Sequence, residues 1–353
     1  MTVQIEESNS IRAAIAKASA RRDLTSEEAE NVMKEIMSGN ATPGQIAALL
    51  TALHIKGETI DEISAFAKTM RKFATRICPK VTTPLLDTCG TGGDGCRTFN
   101  ISTLTALVSA GAGCVVAKHG NRAMSGYCGS ADLLEAFGMK IDLDPRVVES
   151  CIEKVGIGFL FAPKFHPAMR FASPVRKEIG IPTVFNILGP LTNPANAPAQ
   201  ILGVKSQKLA KIIAGVLQKL GIQRAYVVHG KPGIDELSII GHSIAYKVTP
   251  QEIIEEKITP EVYGMTRVKL AEITCQSKDQ SVKIAENVLL NRATEAQKNV
   301  VLLNSAYAIA AGKGITPQEG LEEAKQALED LRAYRKLNEL ITQSGGTCRL
   351  NPL

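Results

Sequence analysis

Residues 85–121, LLDTCGTGGDGCRTFNISTLTALVSAGAGCVVAKHGN, constrain this chain more than any other stretch. A short apolar strand runs into a loop carrying Gly90, Gly92, Gly93 and Gly95. The polar segment 98–103 then opens an apolar helix, and a second strand, 114–117, ends at Lys118-His119-Gly120-Asn121. Glycines let backbone N–H groups approach an anion closely, and a helix N-terminus adds unpaired donors and partial positive charge. The stretch therefore reads as a place to hold phosphate. Gly90-x-Gly92-x-x-Gly95 also satisfies the dinucleotide-binding pattern after a strand. Two features oppose that reading: polar residues separate the third glycine from the helix, and the second strand ends in Lys118 where an acidic residue belongs. The P-loop pattern fails at Cys96-Arg97. An ordinary tight turn is the plain alternative, and phosphate binding without a dinucleotide is preferred.

The chain of 353 residues has room for two domains, or one large domain with an appendage. Residues 9–76 read as four helices. Thr25-x-x-Glu28, Thr42-x-x-Gln45 and Thr59-x-x-Glu62 are capping-box sequences, and Pro43 suits a first helical position. Ile46, Leu49, Leu50 and Leu53 recur at helical spacing, as do Ile60, Ile63, Phe66, Ala67 and Met70. This gives a helical domain over 1–78, with no chemistry of its own and apolar faces suited to packing on a second copy. From residue 80, strands at 85–88, 113–117, 158–162, 183–187, 200–204, 225–229 and 237–240, and a weaker one at 244–248, alternate with helices. The helices fall near 102–111, 130–137, 145–155, 168–179 and 206–220. The expected fold is α/β, with a mainly parallel central sheet in a larger domain, 79–353, beside the N-terminal helical one. Ligands of such sheets lie beyond the carboxyl ends of the strands, where the glycine loop, 118–121, 186–190 and 229–236 should gather. Residues 293–343 read as two amphipathic helices separated by Gly312-Lys313-Gly314.

A net charge of +6 comes from dispersed Lys and Arg, and aromatics make up only 4%. That argues against a nucleic-acid surface and suits an enzyme handling anionic substrates. Eight cysteines contain no C-x-x-C pair, which argues against metal or disulfide frameworks and for a reducing compartment. The start, MTVQIEESNS, lacks a signal-peptide pattern, and no apolar run is long enough to span a membrane. A soluble, cytoplasmic protein is expected.

Chemistry concentrates in a few places. Asp94, Thr98, Asn100, Ser102 and Thr103 supply polar groups around the glycine donors, although Asn100 and Ser102 could equally cap the helix. Lys118 is a point charge for a phosphate oxygen, or a solvated strand-end lysine. Ser130 opens a helix as N-cap, phosphate contact, or both. Asp235 and Glu236 follow the turn 230–233 and would repel each other without a cation. Mg²⁺ shared with substrate phosphates is preferred to a solvated acidic turn. Arg176 offers a planar guanidinium to a carboxylate, or is a surface residue. For 186–193 a structural loop is the stronger reading.

Taken together, GTGGD (90–94), FNIST (99–103), KHGNRAMSGYCGSADLLEAFG (118–138), VRKEIGIPTVFNILGPLTNP (175–194) and VVHG…DELS (227–238) resemble the anthranilate phosphoribosyltransferases, of the phosphorylase-like phosphoribosyltransferase class. The resemblance covers essentially the whole chain. It implies transfer of the 5-phosphoribosyl group from phosphoribosyl pyrophosphate (PRPP) to the amino group of anthranilate, with release of pyrophosphate, in tryptophan biosynthesis. It assigns PRPP to Gly90, Gly93, Asp94, Thr98, Asn100, Ile101, Ser102, Thr103, Lys118 and Ser130. Mg²⁺, as one or two ions, goes to Ser102, Asp235 and Glu236. Anthranilate goes to Gly90, Asn121 and Arg176, with His119, Gly189 and Pro190 lining its pocket, and His166 resembles part of the substrate-entry region. Catalysis would be electrostatic, through Lys118 and Arg176, in a homodimer. A pyrimidine nucleoside phosphorylase is the nearest rival, but would carry a Lys-x-Ser pattern at Lys118-His119-Gly120. A nucleic-acid-binding protein of the same fold and a Rossmann dehydrogenase are the rivals from other classes.

Overall fold

The computed structural model describes residues 10–123 and 126–350. Residues 1–9, on which the reading of the N-terminus rests, and two positions of the second loop, 124 and 125, lie outside them. Four helices come first: α1 (Ser10–Ser19), α2 (Ser26–Met37), α3 (Pro43–Lys56) and α4 (Ile60–Phe73). Then follow β1 (Leu85–Gly90), α5 (Ile101–Gly111), β2 (Val115–Gly120), α6 (Ser130–Ala136), α7 (Pro145–Val155), β3 (Ile157–Phe161), α8 (Ala162–Phe165), α9 (Ser173–Ile179) and α10 (Phe185–Leu188). The remainder is β4 (Ala199–Gly203), α11 (Gln207–Lys219), β5 (Arg224–Gly230), β6 (Ser243–Val248), β7 (Ile253–Ile258), α12 (Lys278–Leu289), α13 (Glu295–Lys313), α14 (Pro317–Glu329) and α15 (Arg332–Gln343). No helix among the described residues is long and apolar enough to cross a membrane.

The chain divides into two compact units, 1–74 with 166–192, and 75–165 with 193–353. In the first, all three capping boxes form with both of their hydrogen bonds. Glu62 goes further than its box. Fully buried, it also accepts from Leu24 N–H at 2.8 Å and pairs with Lys56 Nζ at 2.9 Å, so one carboxylate ties α4 to the end of α3 and to the connection before α2. Sequence continuity puts 166–192 in the α/β domain, yet α9 packs on α3 and α10 on α4. Arg71 Nε, from α4, donates to Leu191 O at 2.8 Å.

The second unit is built on a seven-stranded sheet ordered β3-β2-β1-β4-β5-β6-β7. Strands β3 to β5 are parallel, and β6 and β7 are added antiparallel. β4 is buried along its whole length, as a central parallel strand with both faces covered must be. β7 closes the edge with Glu255, Glu256 and Lys257, charges that discourage further pairing. α5 is buried at ten of its eleven positions, which explains its apolar composition.

Several sequence expectations change. Residues 183–187 form no strand: Thr183 N–H donates to Asn186 Oδ1 at 2.9 Å, closing a turn from which α10 starts. A short apolar run suits a buried helix as well as a strand. Residues 237–240 are irregular, because side chains take up their backbone groups. The weak strand at 244–248 is β6, and β7 went unread because its charges mask the strand pattern. The span 168–179 is a 3₁₀ turn, Pro167–Phe171, followed by α9. The tail holds three helices from residue 293 on, broken at Gly314 (φ 74°) and Leu331 (φ 55°). α13 is buried nearly all round and is not amphipathic.

Gly320 shows how tightly this end is packed: a Cβ there would fall on Ala306 O of α13. Gly320→Ala should lower stability by about 1–3 kcal/mol. Gly44→Ala, in α3 with nothing near its Cβ, should leave stability unchanged or raise it by about 0.4–1 kcal/mol. Urea unfolding of both variants measures the difference.

Candidate active site

Four of the five parallel strands end in glycine at the carboxyl edge: Gly90, Gly120, Gly203 and Gly230. These positions lack a side chain because something else fills the space. A Cβ at Gly203 would fall on Asp235 O, one at Gly90 on Asp235 Oδ2, and one at Gly230 would lie 2.5 Å from Glu236 O. The acidic pair is thus laid directly across the ends of β1, β4 and β5. At Gly120 the intruding atom is Ser130 Oγ.

Asp235 Oδ2 accepts from Gly92 N–H at 2.8 Å, joining the acidic segment to the glycine loop. Asp94 Oδ1 accepts from Cys96 N–H at 3.0 Å, which turns the loop so that its carboxylate joins the pair. Oxygens of Asp94, Asp235 and Glu236 lie within 4.8 Å of one another. Asp94 Oδ2 and Glu236 Oε2 are buried and lack hydrogen-bond partners. Burial first, then the charge of Asp94, pushes the Asp235 carboxyl up to about 6. Glu236 is raised well above the usual carboxylate range by burial and by both neighbouring acids. Two orphaned oxygens in a cluster of hard donors fit a divalent cation. Sequence reasoning gave Asp94 to PRPP and missed it as a third acid. The clue was its place directly after the glycines, at the same sheet edge.

The glycine loop keeps an open inner side. Gly93 has φ 74°, in the left-handed region, and a Cβ there would meet nothing within 4 Å. Asn100 holds the N-cap position of α5 without capping it. Its Nδ2 donates to Cys128 O at 2.8 Å, and its Oδ1 accepts from Ser281 Oγ of α12 at 2.8 Å, so it ties both loops to the helix behind them. In the first turn, Ile101 N–H goes to Phe99 O at 2.6 Å and Thr103 N–H to Asn100 O at 3.2 Å, which leaves the Ser102 amide for an anion. Thr103 Oγ1 is buried without a partner. Thr98 bridges to Thr274.

Lys118 is no solvated strand end. It is buried in β2, with Nζ donating to Thr88 O at 2.6 Å. Burial lowers its pKa, and the nearby Asp87 opposes that shift. His119 is buried beside it, its N–H donating to Asp87 Oδ1 at 3.2 Å. Ser130 is not the N-cap of α6: Gly129 is, and Asp132 accepts from Gly129 N–H at 3.0 Å. Ser130 Oγ donates instead to Asn121 O at 3.2 Å, while Asn121 Oδ1 accepts from Arg122 N–H at 2.8 Å.

In the other unit, Arg176 of α9 lies half-buried with its guanidinium 5.4 Å from the Phe185 ring centre. Burial lowers its pKa. The expectation that 186–190 follow a strand fails, since Gly189 and Pro190 form a 3₁₀ turn directly after α10. His166 is buried, which pushes its pKa down to about 4 and makes it a neutral imidazole at pH 7.

The chain matches the family described as glycosyl transferase family, a/b domain, over residues 82–334. It matches the helical bundle domain of the glycosyl transferase family over 12–74. The anthranilate phosphoribosyltransferase of Chloroflexus aggregans is 50% identical, over 95% of this chain and 99% of that protein. The crystal structure of the Thermus thermophilus anthranilate phosphoribosyltransferase superposes with a TM-score of 0.89 at 40% identity, over 94% of this chain and 99% of that one. The Saccharomyces cerevisiae enzyme, in complex with PRPP and Mg, gives 0.87 at 26% identity, over 95% and 98%.

The acid cluster predicts an unusual stability profile. A carboxyl raised from 3.8 to about 6 in the folded state contributes stability that is complete below 3.8 and lost as pH rises through 6. In EDTA, Asp235→Asn should therefore raise Tm at pH 7.5 and flatten the profile between pH 4 and 6. Mg²⁺ should raise Tm of the unaltered protein at pH 7.5, do so less at pH 5, and leave Asp235→Asn unmoved. Thermal unfolding across this pH range, with and without Mg²⁺, checks all three.

Proposed function

Because the chain belongs to the anthranilate phosphoribosyltransferase family, we propose that the site described above transfers the 5-phosphoribosyl group of PRPP to the amino group of anthranilate, giving N-(5-phosphoribosyl)anthranilate and pyrophosphate in tryptophan biosynthesis. One observation carries the reading: three carboxylates, two of them with an orphaned oxygen, converge beside an open glycine loop at the carboxyl edge of the sheet. A site for polyphosphate and cation together is what PRPP demands.

The chain's own residues divide the work. Gly90, Gly93, the Ser102 amide, Thr98 and Thr103 present donors to the phosphates, with Ile101 shaping the turn. Asn100 has used one Nδ2 hydrogen on Cys128 O and keeps the other. Lys118 has three donors, two of them directed at Thr88, and brings positive charge close to the departing pyrophosphate. Ser130 and Asn121 hold the second loop in shape through Asn121 O. Mg²⁺ fits Asp94, Asp235 and Glu236, with Ser102 as a further oxygen, and when bound supplies charge neutralisation to the leaving group. Breaking the anomeric bond leaves an oxocarbenium-like ribose, so catalysis rests on electrostatics and alignment.

Arg176 receives the anthranilate carboxylate. Its plane lies over Phe185 and its desolvation strengthens a bidentate pair. The resemblance assigns Gly90 and Asn121 to the same substrate, and His119, Gly189 and Pro190 to the lining of its pocket. The aromatic amine is neutral near pH 7 and needs no strong base. The chain acts in the cytoplasm as a homodimer joined through its N-terminal helices, where Ile55 (62% exposed) and Ile60 (37%) lie open.

The decay of anthranilate fluorescence on adding PRPP tests the activity. Decay with Mg²⁺ and none in EDTA is expected, and no decay from folded protein in Mg²⁺ rules the reaction out. Arg176→Ala should raise KM for anthranilate about 10- to 100-fold, the cost of a charged hydrogen-bonded pair, and change KM for PRPP far less. Equal rises would remove Arg176 from the anthranilate site. Sedimentation of Ile55→Glu tests the dimer: a shift from dimer to monomer is expected.

A further inference from the structure

Asn304 is an anomaly in α13. Its neighbours Leu302, Leu303, Ser305 and Ala306 are buried, and it is itself only 3% exposed. A carboxamide in such surroundings is costly unless each of its groups is paired, and here each is. Oδ1 accepts from Leu237 N–H at 2.9 Å, one Nδ2 hydrogen goes to Leu237 O at 2.9 Å, and the other to Val300 O at 2.8 Å. The side chain thus grips both polar groups of one residue from a helix 67 positions further along, as a neighbouring strand would.

Leu237 directly follows Asp235 and Glu236. Oxygens of those two carboxylates and Asp94 lie within 4.8 Å of one another, so the placement of this backbone sets how far apart the three oxygens stand. Before the acids, Gly230 pairs with Ile234 through bonds of 3.0 and 2.9 Å; after them, Asn304 holds Leu237. On the reading that this is the Mg²⁺ site of a phosphoribosyltransferase, we propose that Asn304 is its positioning residue. By fixing the Leu237 backbone it sets the separation of the Asp235 and Glu236 carboxylates, and so the affinity for the ion. Asn304 touches neither substrate nor metal, and acts through Leu237.

The test compares Asn304→Ala, which leaves both groups of Leu237 unpaired, with Asn304→Asp, which keeps volume and acceptor but loses both donors. Leu303→Ala is the control, a cavity in the same helix away from the acids. Mn²⁺ binding is followed by the loss of its free EPR signal in protein saturated with PRPP, corrected for PRPP alone. The Mg²⁺ concentration for half-maximal turnover and KM for anthranilate are measured beside it. Both Asn304 variants should bind Mn²⁺ at least tenfold more weakly and need correspondingly more Mg²⁺. Their KM for anthranilate should stay within about twofold, and Leu303→Ala should shift none of these. If Asn304→Ala does not fold, Asn304→Asp carries the test. Unaltered Mn²⁺ affinity in a folded Asn304 variant, or an equal loss in Leu303→Ala, overturns the inference while leaving the enzyme reading intact. Unmodified protein with no anthranilate-dependent turnover at any Mg²⁺ concentration overturns both.

Discussion

Mutual repulsion among Asp94, Asp235 and Glu236 is the constraint from which the catalytic half of this structure follows. Burial and the neighbouring acids raise the proton affinity of Asp235 and Glu236. A chain free to relax would separate them. It is kept from doing so by close approach at the sheet edge, where glycines end β1, β4 and β5: the 235–236 backbone fills the space beside Gly203 and Gly230, and the Asp235 carboxylate fills that beside Gly90. On the proposed assignment, a bound divalent cation would take the place of the protons that these acids otherwise retain. Such a site gives up some stability in order to be ready for its ligand.

Deeper in the sheet lies a second electrostatic arrangement with the opposite balance. Asp87 on β1 and Lys118 on β2 are both buried, and burial pushes each toward neutrality while the partner's charge opposes it. A buried pair of this kind contributes little net stability, but removing either partner is costly. Its value is in placement. Lys118 Nζ holds Thr88 O, and Asp87 receives the His119 N–H, so β1 and β2 are tied side by side just before each strand reaches the substrate edge. The lysine that the sequence offered to a phosphate oxygen, or alternatively to solvent, is therefore buried and held in place.

Local signals were legible in the sequence. Capping boxes need only four consecutive residues, and all three formed in the N-terminal helices. The glycine loop, α5 and the acidic pair also follow from short-range pattern. What failed was decided by distant partners. Residues 183–187 became a turn and short helix inside the helical unit, where no sheet edge was available to their apolar run. Residues 237–240 read as a strand, but their backbone groups were taken by Asn304 and by Ser243 Oγ. Ser281 and Asn304 lie 181 and 67 residues from the groups they fix. No motif links such positions, so only the folded chain reveals them.

The glycine loop joins two functions that the sequence presents separately. Its open side offers amides to phosphate, while Asp94, held by its own turn to Cys96 N–H, points a carboxylate oxygen into the acid cluster. Gly92 N–H reaches across to Asp235 Oδ2. An ion bound at the acids therefore favours the loop conformation that receives the polyphosphate, and a polyphosphate seated in the loop gathers the acids for the ion. Two ligands that stabilise one arrangement of the same residues must strengthen each other's binding by equal factors. On the proposed assignment, cation and PRPP are coupled through the backbone of 92–96.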